Sequence, residues 1–164
     1  MPGFEFVHES PFTRGHTTAP LVRLMRHAAD LELTLVARPE SVAVARQAVS
    51  GLADACAWDG AFVADLRIAV SEACSNVVAH AYVNDDAPGP LILRAWIDDT
   101  TLVVRVVDEG RGMTPRLSKD AGLGLGLPLM AALSDEVQIK SGPGGATEVT
   151  MTFTIPRDGQ RPES

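Results

Sequence analysis

The apolar residues of this chain change period in a fixed order, and that order constrains the fold more than any composition figure. Leu31, Leu33 and Leu35 alternate with Glu32 and Thr34, a period of two that predicts a strand with one buried face. After Pro39-Glu40-Ser41 the apolar positions are Val42, Ala45, Val49, Leu52 and Cys56, which is a helical spacing. Asp59-Gly60 breaks it, and a second helix is expected from Ala61 to about Tyr82, with Phe62, Leu66, Ala69, Val70, Ala73 and Val77 on its apolar face. The run from Asn84 to Pro90 is a loop by composition. Period two then returns in Leu91–Ile97 and Leu102–Val107, joined by Asp98-Asp99-Thr100 as a hairpin turn. A glycine-rich passage from Asp108 to Gly126 leads into a short helix over about Leu127 to Leu133. Strands Glu136–Lys140 and Ala146–Ile155 close the pattern around the turn Gly142-Pro143-Gly144-Gly145. This grouping is not the βαβ alternation of a doubly wound sheet. It predicts an α+β fold, a two-layer sandwich with helices on one face of a mixed, mostly antiparallel sheet.

Residues 1–29 stand outside the pattern. They hold Pro2, Pro11, Pro20 and the histidines His8, His16 and His27, and no clean period, so a flexible N-terminal extension is expected ahead of a domain at 30–156. The polar residues 157–164 are expected to be a disordered tail.

Composition enters as a set of exclusions. A chain of 164 residues, 46% of them hydrophobic, can bury roughly 70% of its unfolded surface and needs no disulfide or metal to fold. Its 21 acidic and 14 basic residues leave a formal charge of −7, the wrong sign for direct binding to nucleic acid or to an anionic membrane. Cys56 and Cys74 have no metal-ligand or redox spacing and are expected as small buried hydrophobes, reduced, in a cytoplasmic protein. No apolar run reaches the length of about 18 residues that a membrane helix needs, and the N-terminus lacks the apolar core of a secretory signal.

Three motifs carry chemistry. Glu72, Asn76 and His80 recur every four residues and form a polar stripe bordering the apolar face of the second helix. A solvated face would explain it, but an amide one turn from a carboxylate can also hold a hard cation while the acid handles a proton. Asp108-Glu109-Gly110-Arg111-Gly112 follows a buried strand. Its glycines allow close approach to a flat or anionic ligand, and Asp108 can accept a hydrogen bond from an exocyclic amine; a simple strand-ending turn would use the same residues. Ala121-Gly122-Leu123-Gly124-Leu125-Gly126-Leu127-Pro128 opens a helix, where free N–H groups and the helix dipole attract anions. With no Gly-Lys-Ser/Thr it is not a P-loop, and with no βαβ unit it is not a dinucleotide fingerprint.

Together, in this order, the motifs resemble the boxes of the GHKL ATPases. Arg67 to Tyr82, with its trailing His80-Ala81-Tyr82, is similar to the N-box of bacterial anti-sigma-factor serine kinases of the stress-response and sporulation switches. Asp108 to Gly112 resembles the first glycine box and Gly122 to Leu125, with Leu129-Met130 and Leu133 to Val137, the second; Gly144 to Thr147 resembles the last nucleotide-contacting turn. The resemblance implies a Bergerat-type ATP-binding fold. It implies Glu72 as general base, Asn76 as the Mg²⁺ ligand beside the ATP phosphates, and His80 on the cofactor side of the same helix. It further implies Asp108 reading the adenine amine with Thr147 nearby, and Gly110 and Gly112 passing the base and sugar. Gly122, Leu123, Gly124, Leu125 and Gly126 would wrap the phosphates. Related lids often carry an arginine; here Lys119 is the nearest cation after Arg116, and either is a candidate for the γ-phosphate. Pro128 is tolerable only in the first turn of its helix.

The implied function is that of an ATP-dependent serine/threonine protein kinase and anti-sigma factor. It would sequester a sigma factor, phosphorylate a serine on an anti-anti-sigma partner of the STAS type, and pair as a homodimer, without touching nucleic acid or membrane. A non-catalytic ATP-binding module that only sequesters a partner is the alternative. The ATP domain of a histidine kinase is disfavoured, since no phosphoacceptor helix pair is seen before residue 31.

Overall fold

Alternating leucines, two helical stripes and two hairpins assemble as the grouping of periods requires. The computed structural model describes residues 28–83, 85–111 and 126–156. Strand β1 (Leu31–Val36) sets half-buried leucines against exposed Glu32, Thr34 and Val36. Helix α1 (Pro39–Ala55) starts with proline in its first turn, where the missing N–H has no helical partner to lose. Helix α2 (Gly60–Asn76) is capped by Asp59, whose carboxylate accepts from the Ala61 N–H at 2.9 Å. Strands β2 (Pro90–Ile97) and β3 (Thr101–Asp108), helix α3 (Gly126–Leu133), and strands β4 (Glu136–Ser141) and β5 (Thr147–Thr154) follow.

The sheet order is β1-β2-β3-β5-β4, and all described pairings are antiparallel. Register explains the core. Leu33, Leu93, Val106, Val149 and Ile139 stand opposite one another in a single row across all five strands, on the face that the helices cover. Leu66, Ala69, Val70 and Ala73 of α2 are fully buried against that face. Alanines at two of these positions let the helix lie close to the sheet, and α2 is flanked by α1 and α3.

The opposite face is also partly covered. Trp96 and Val103 are buried there, Ala29 packs against them, and the Arg105 guanidinium lies 5.4 Å from the Trp96 ring centroid. Asp30 ties this corner to β2: its N–H donates to the Ala95 carbonyl at 2.9 Å, and its carboxylate accepts from the Ile97 N–H at 2.8 Å.

Two expectations are corrected. The second helix does not run as α-helix to Tyr82. It ends at Asn76 and opens into a π-turn, Val77–Ala81. The wider turn brings Ala81 against the end of β3, where its carbonyl accepts from the Arg111 N–H at 3.2 Å. Cys74 is buried as expected, but Cys56 is exposed. It caps the C-terminus of α1, and the chain turns immediately through Ala57 at a φ of 53°, so the helical stripe stops before Cys56 can join the core. The expected extension before residue 28 and the tail after 156 lie outside the described residues.

Candidate active site

The end of α2 and the start of α3 meet at one point. Glu72 and Asn76 sit one turn apart and are both half-buried. A methyl group added at Gly126 would lie 3.2 Å from Glu72 Oε2, 3.4 Å from Asn76 Nδ2 and 3.5 Å from Asn76 Oδ1. Glycine therefore seats the first turn of α3 directly on the carboxylate and the amide. Pro128 falls within that first turn and is exposed, so it displaces no core residue. Glu72 is also among the residues lining an open groove of about 390 Å³, with Arg46, Ala64, Arg67, Ile68 and Ser71.

A second cluster forms where β3 and β5 end. Asp108 and Thr147 stand opposite each other in the register and are 3% and 2% exposed, unusual burial for a carboxylate. Asp108 Oδ1 accepts from the Gly110 N–H at 2.9 Å and from the Thr147 N–H at 3.4 Å. Burial raises the Asp108 pKa above the ordinary carboxylate value, although both N–H groups and the Thr147 hydroxyl hold it back by favouring the anion.

Glycine is required around this carboxylate. A Cβ at Gly110 would stand 2.1 Å from the Ala81 carbonyl oxygen, and one at Gly145, where φ is 100°, would stand 2.2 Å from the Arg111 backbone. The Asp108–Arg111 segment is thus clasped between the π-turn and the Gly142–Gly145 turn. Gly145 belongs to the Gly144–Thr147 turn that the resemblance marks; what the structure adds is that its backbone passes against Arg111, the kind of close approach that consecutive glycines allow.

Of the residues expected at a nucleotide site, the structure brings Glu72, Asn76 and Gly126 into one group, and Asp108, Gly110 and Thr147 into another. His80 is exposed in the π-turn, because five-residue hydrogen bonding shifts it out of register with Glu72 and Asn76. Gly112, Lys119, Gly122, Leu123, Gly124, Leu125 and the alternative cation Arg116 lie outside the described residues. Among the described residues no group of three or more His, Cys, Asp or Glu could hold a metal ion by itself. A divalent cation at Asn76 would be shared with phosphate oxygens and water, a donor set that suits Mg²⁺.

Comparisons with known proteins give the family and the fold. The chain matches the histidine kinase-like ATPase domain family over residues 35–153. It is 36% identical over 152 residues to the serine-protein kinase RsbW of Bacillus subtilis strain 168, spanning 84% of this chain and 92% of that protein. It is 32% identical over 139 residues to the anti-sigma F factor of Caldanaerobacter subterraneus, spanning 78% and 95%. The crystal structure of the RsbU and RsbW domains of a Mycobacterium tuberculosis protein aligns with a TM-score of 0.63 at 25% identity, over 79% of this chain. The chain spans only 33% of the length of that two-domain structure.

Fold and site thus define a histidine kinase-like ATPase domain of the GHKL type. Within that class, the chain belongs to the family of anti-sigma-factor serine-protein kinases.

Proposed function

We propose that this protein binds ATP between its helical layer and its sheet, transfers the γ-phosphoryl group to a serine of a small anti-anti-sigma protein, and sequesters a sigma factor. The observation that carries the reading is the convergence of Glu72 and Asn76 on Gly126 at the start of α3. A base, an amide oxygen and helix N–H groups meet there, and phosphoryl transfer needs mainly such positioning and charge neutralisation.

Glu72 Oε2 accepts the proton of the serine hydroxyl as it attacks the γ-phosphorus, and the groove beside Arg46 and Arg67 gives that serine a route to Glu72. Asn76 offers its side-chain oxygen to Mg²⁺, which when bound neutralises charge on the phosphates. Asp108 accepts a hydrogen bond from the adenine amino group, with Thr147 orienting its carboxylate, and Gly110 leaves room for the base. Gly112 and the Gly122–Gly126 segment line the sugar and phosphates, with Lys119 or Arg116 near the γ-phosphate. His80, exposed in the π-turn, sits at the rim. The protein acts as a homodimer in the cytoplasm; no described helix is long and apolar enough to cross a membrane.

The test is transfer of labelled phosphate from ATP with Mg²⁺ to the cognate anti-anti-sigma protein. Glu72→Ala is expected to lower the rate by about 10²–10⁴-fold, the usual worth of a general base. Asn76→Ala is expected to remove the Mg²⁺ dependence of tight ATP binding. If both variants transfer phosphate as fast as wild type, Glu72 and Asn76 are not the catalytic base and metal ligand; if wild type itself transfers none, the kinase reading is wrong and the protein is a sequestering module.

A further inference from the structure

We infer that Tyr82, the residue that closes the π-turn, is a positioning residue for adenine recognition, holding the backbone beside Asp108 so that its carboxylate faces the base. The inference rests on the proposed role of Asp108 and deepens it.

Tyr82 is the only tyrosine in the chain, and its hydroxyl is used in both senses. It donates to the Pro90 carbonyl at 2.6 Å and accepts from the Glu109 N–H at 2.8 Å. Those two contacts join the C-terminal end of the α2 region to the first residue of β2 and to the residue just past β3. The Glu109 N–H is the first beyond the ladder, since β3 ends its pairing at Asp108. A phenol that both gives and takes one bond suits this place, and no other side chain of similar length does so while packing as a flat ring.

The ring has been given room. A Cβ at Gly89 would lie 2.3 Å from Tyr82 Cε1, so Gly89 must remain glycine for the ring to lie where it does. One residue along, the Ala81 carbonyl takes the Arg111 N–H at 3.2 Å, and the Asp108 carboxylate takes the Gly110 N–H. The peptide units from 108 to 111 are therefore held from both sides. Tyr82 controls the one adjacent to the carboxylate. Burial and the nearby carboxylates of Asp108, Glu109 and Asp85 raise the phenol pKa, so the hydroxyl keeps the proton it donates to Pro90.

The experiment is competition of ATP and GTP against a fluorescent ATP analogue on the full chain, for wild type, Tyr82→Phe, Gly89→Ala and Asp108→Asn. Tyr82→Phe removes one oxygen and two hydrogen bonds, and is expected to cut the ATP-over-GTP preference by about tenfold. Gly89→Ala displaces the ring without removing the hydroxyl, and should do the same if Tyr82→Phe fails to fold. A residue that only stabilises the fold would weaken ATP and GTP equally, leaving the preference unchanged. Should Asp108→Asn collapse the preference while both Tyr82→Phe and Gly89→Ala preserve it, the positioning role is refuted and the adenine pocket stands. An unchanged preference in Asp108→Asn would refute the pocket itself, and the role of Tyr82 with it.

Discussion

Gly110→Ala should be far more damaging than the addition of one methyl group suggests. The new Cβ would lie 2.1 Å from the Ala81 carbonyl oxygen and 2.6 Å from its carbon. Carbon–oxygen contacts need about 3.3 Å, so the end of β3 and the π-turn must separate by about 1 Å. The obstacle is backbone at a helix–sheet junction, which cannot swing aside as a side chain would. Separation breaks the Arg111 N–H to Ala81 bond at 3.2 Å and loosens Asp108 from the Gly110 N–H at 2.9 Å. Overpacking costs about 1–3 kcal/mol and each of the two bonds about 0.5–1.5 kcal/mol. At about 2–4 °C per kcal/mol for a chain of this size, the melting temperature should fall on the order of 10 °C. Gly51→Ala is the matched control. Gly51 lies exposed within α1, and nothing stands within 4 Å of a Cβ there, so alanine should stabilise by about 0.5–1 kcal/mol. Thermal denaturation followed by circular dichroism, with nucleotide binding measured alongside, reads both. A Gly110→Ala protein that melts within about 2 °C of wild type and binds ATP normally would show that the loop is not pressed against the π-turn.

Other outcomes follow from the same contacts. Gly126→Ala meets only the flexible ends of Glu72 and Asn76, so melting should barely move while phosphoryl transfer falls about tenfold or more; equal rates would separate α3 from the chemistry. Leu66→Ala, at a fully buried position, should cost about 2–5 kcal/mol in denaturant unfolding. Thiol titration should find Cys56 reactive in the native protein and Cys74, its pKa pushed up to about 12 by burial, reactive only after unfolding. Asp108 has a raised pKa in the fold, so its share of the nucleotide-free protein's stability is largest below the ordinary carboxylate range. That share should be lost as pH rises through the elevated value, and a pH series of melts should lose this slope in Asp108→Asn.

Much of the fold was legible in local pattern. Leu31, Leu33 and Leu35 specify a strand because side chains alternate across a sheet, whatever lies above it. The Asp98–Thr100 hairpin and the Asp59 cap are likewise decided within a few residues. The end of α2 was not legible, because Val77–Ala81 reads as a continuing helix. Its π-turn answers to Arg111 and Gly110, distant in sequence, and that shift also moved His80 out of line. Cys56 misled for a similar reason: its spacing fits the stripe, but the stripe is useful only while the helix still lies on the sheet.

The candidate site divides the same way. Sequence by itself determined that Glu72 and Asn76 share one side of a helix, because four residues make about one turn, and that glycines crowd Asp108 and precede α3. It could not decide which glycine touches which group. That Gly126 rests on Glu72 and Asn76, that Gly110 and Gly145 close on backbone from two different elements, and that a tyrosine hydroxyl holds the peptide after Asp108 are matters of tertiary structure. They depend on strand order and register, which bring together residues whose mutual distance no local rule constrains.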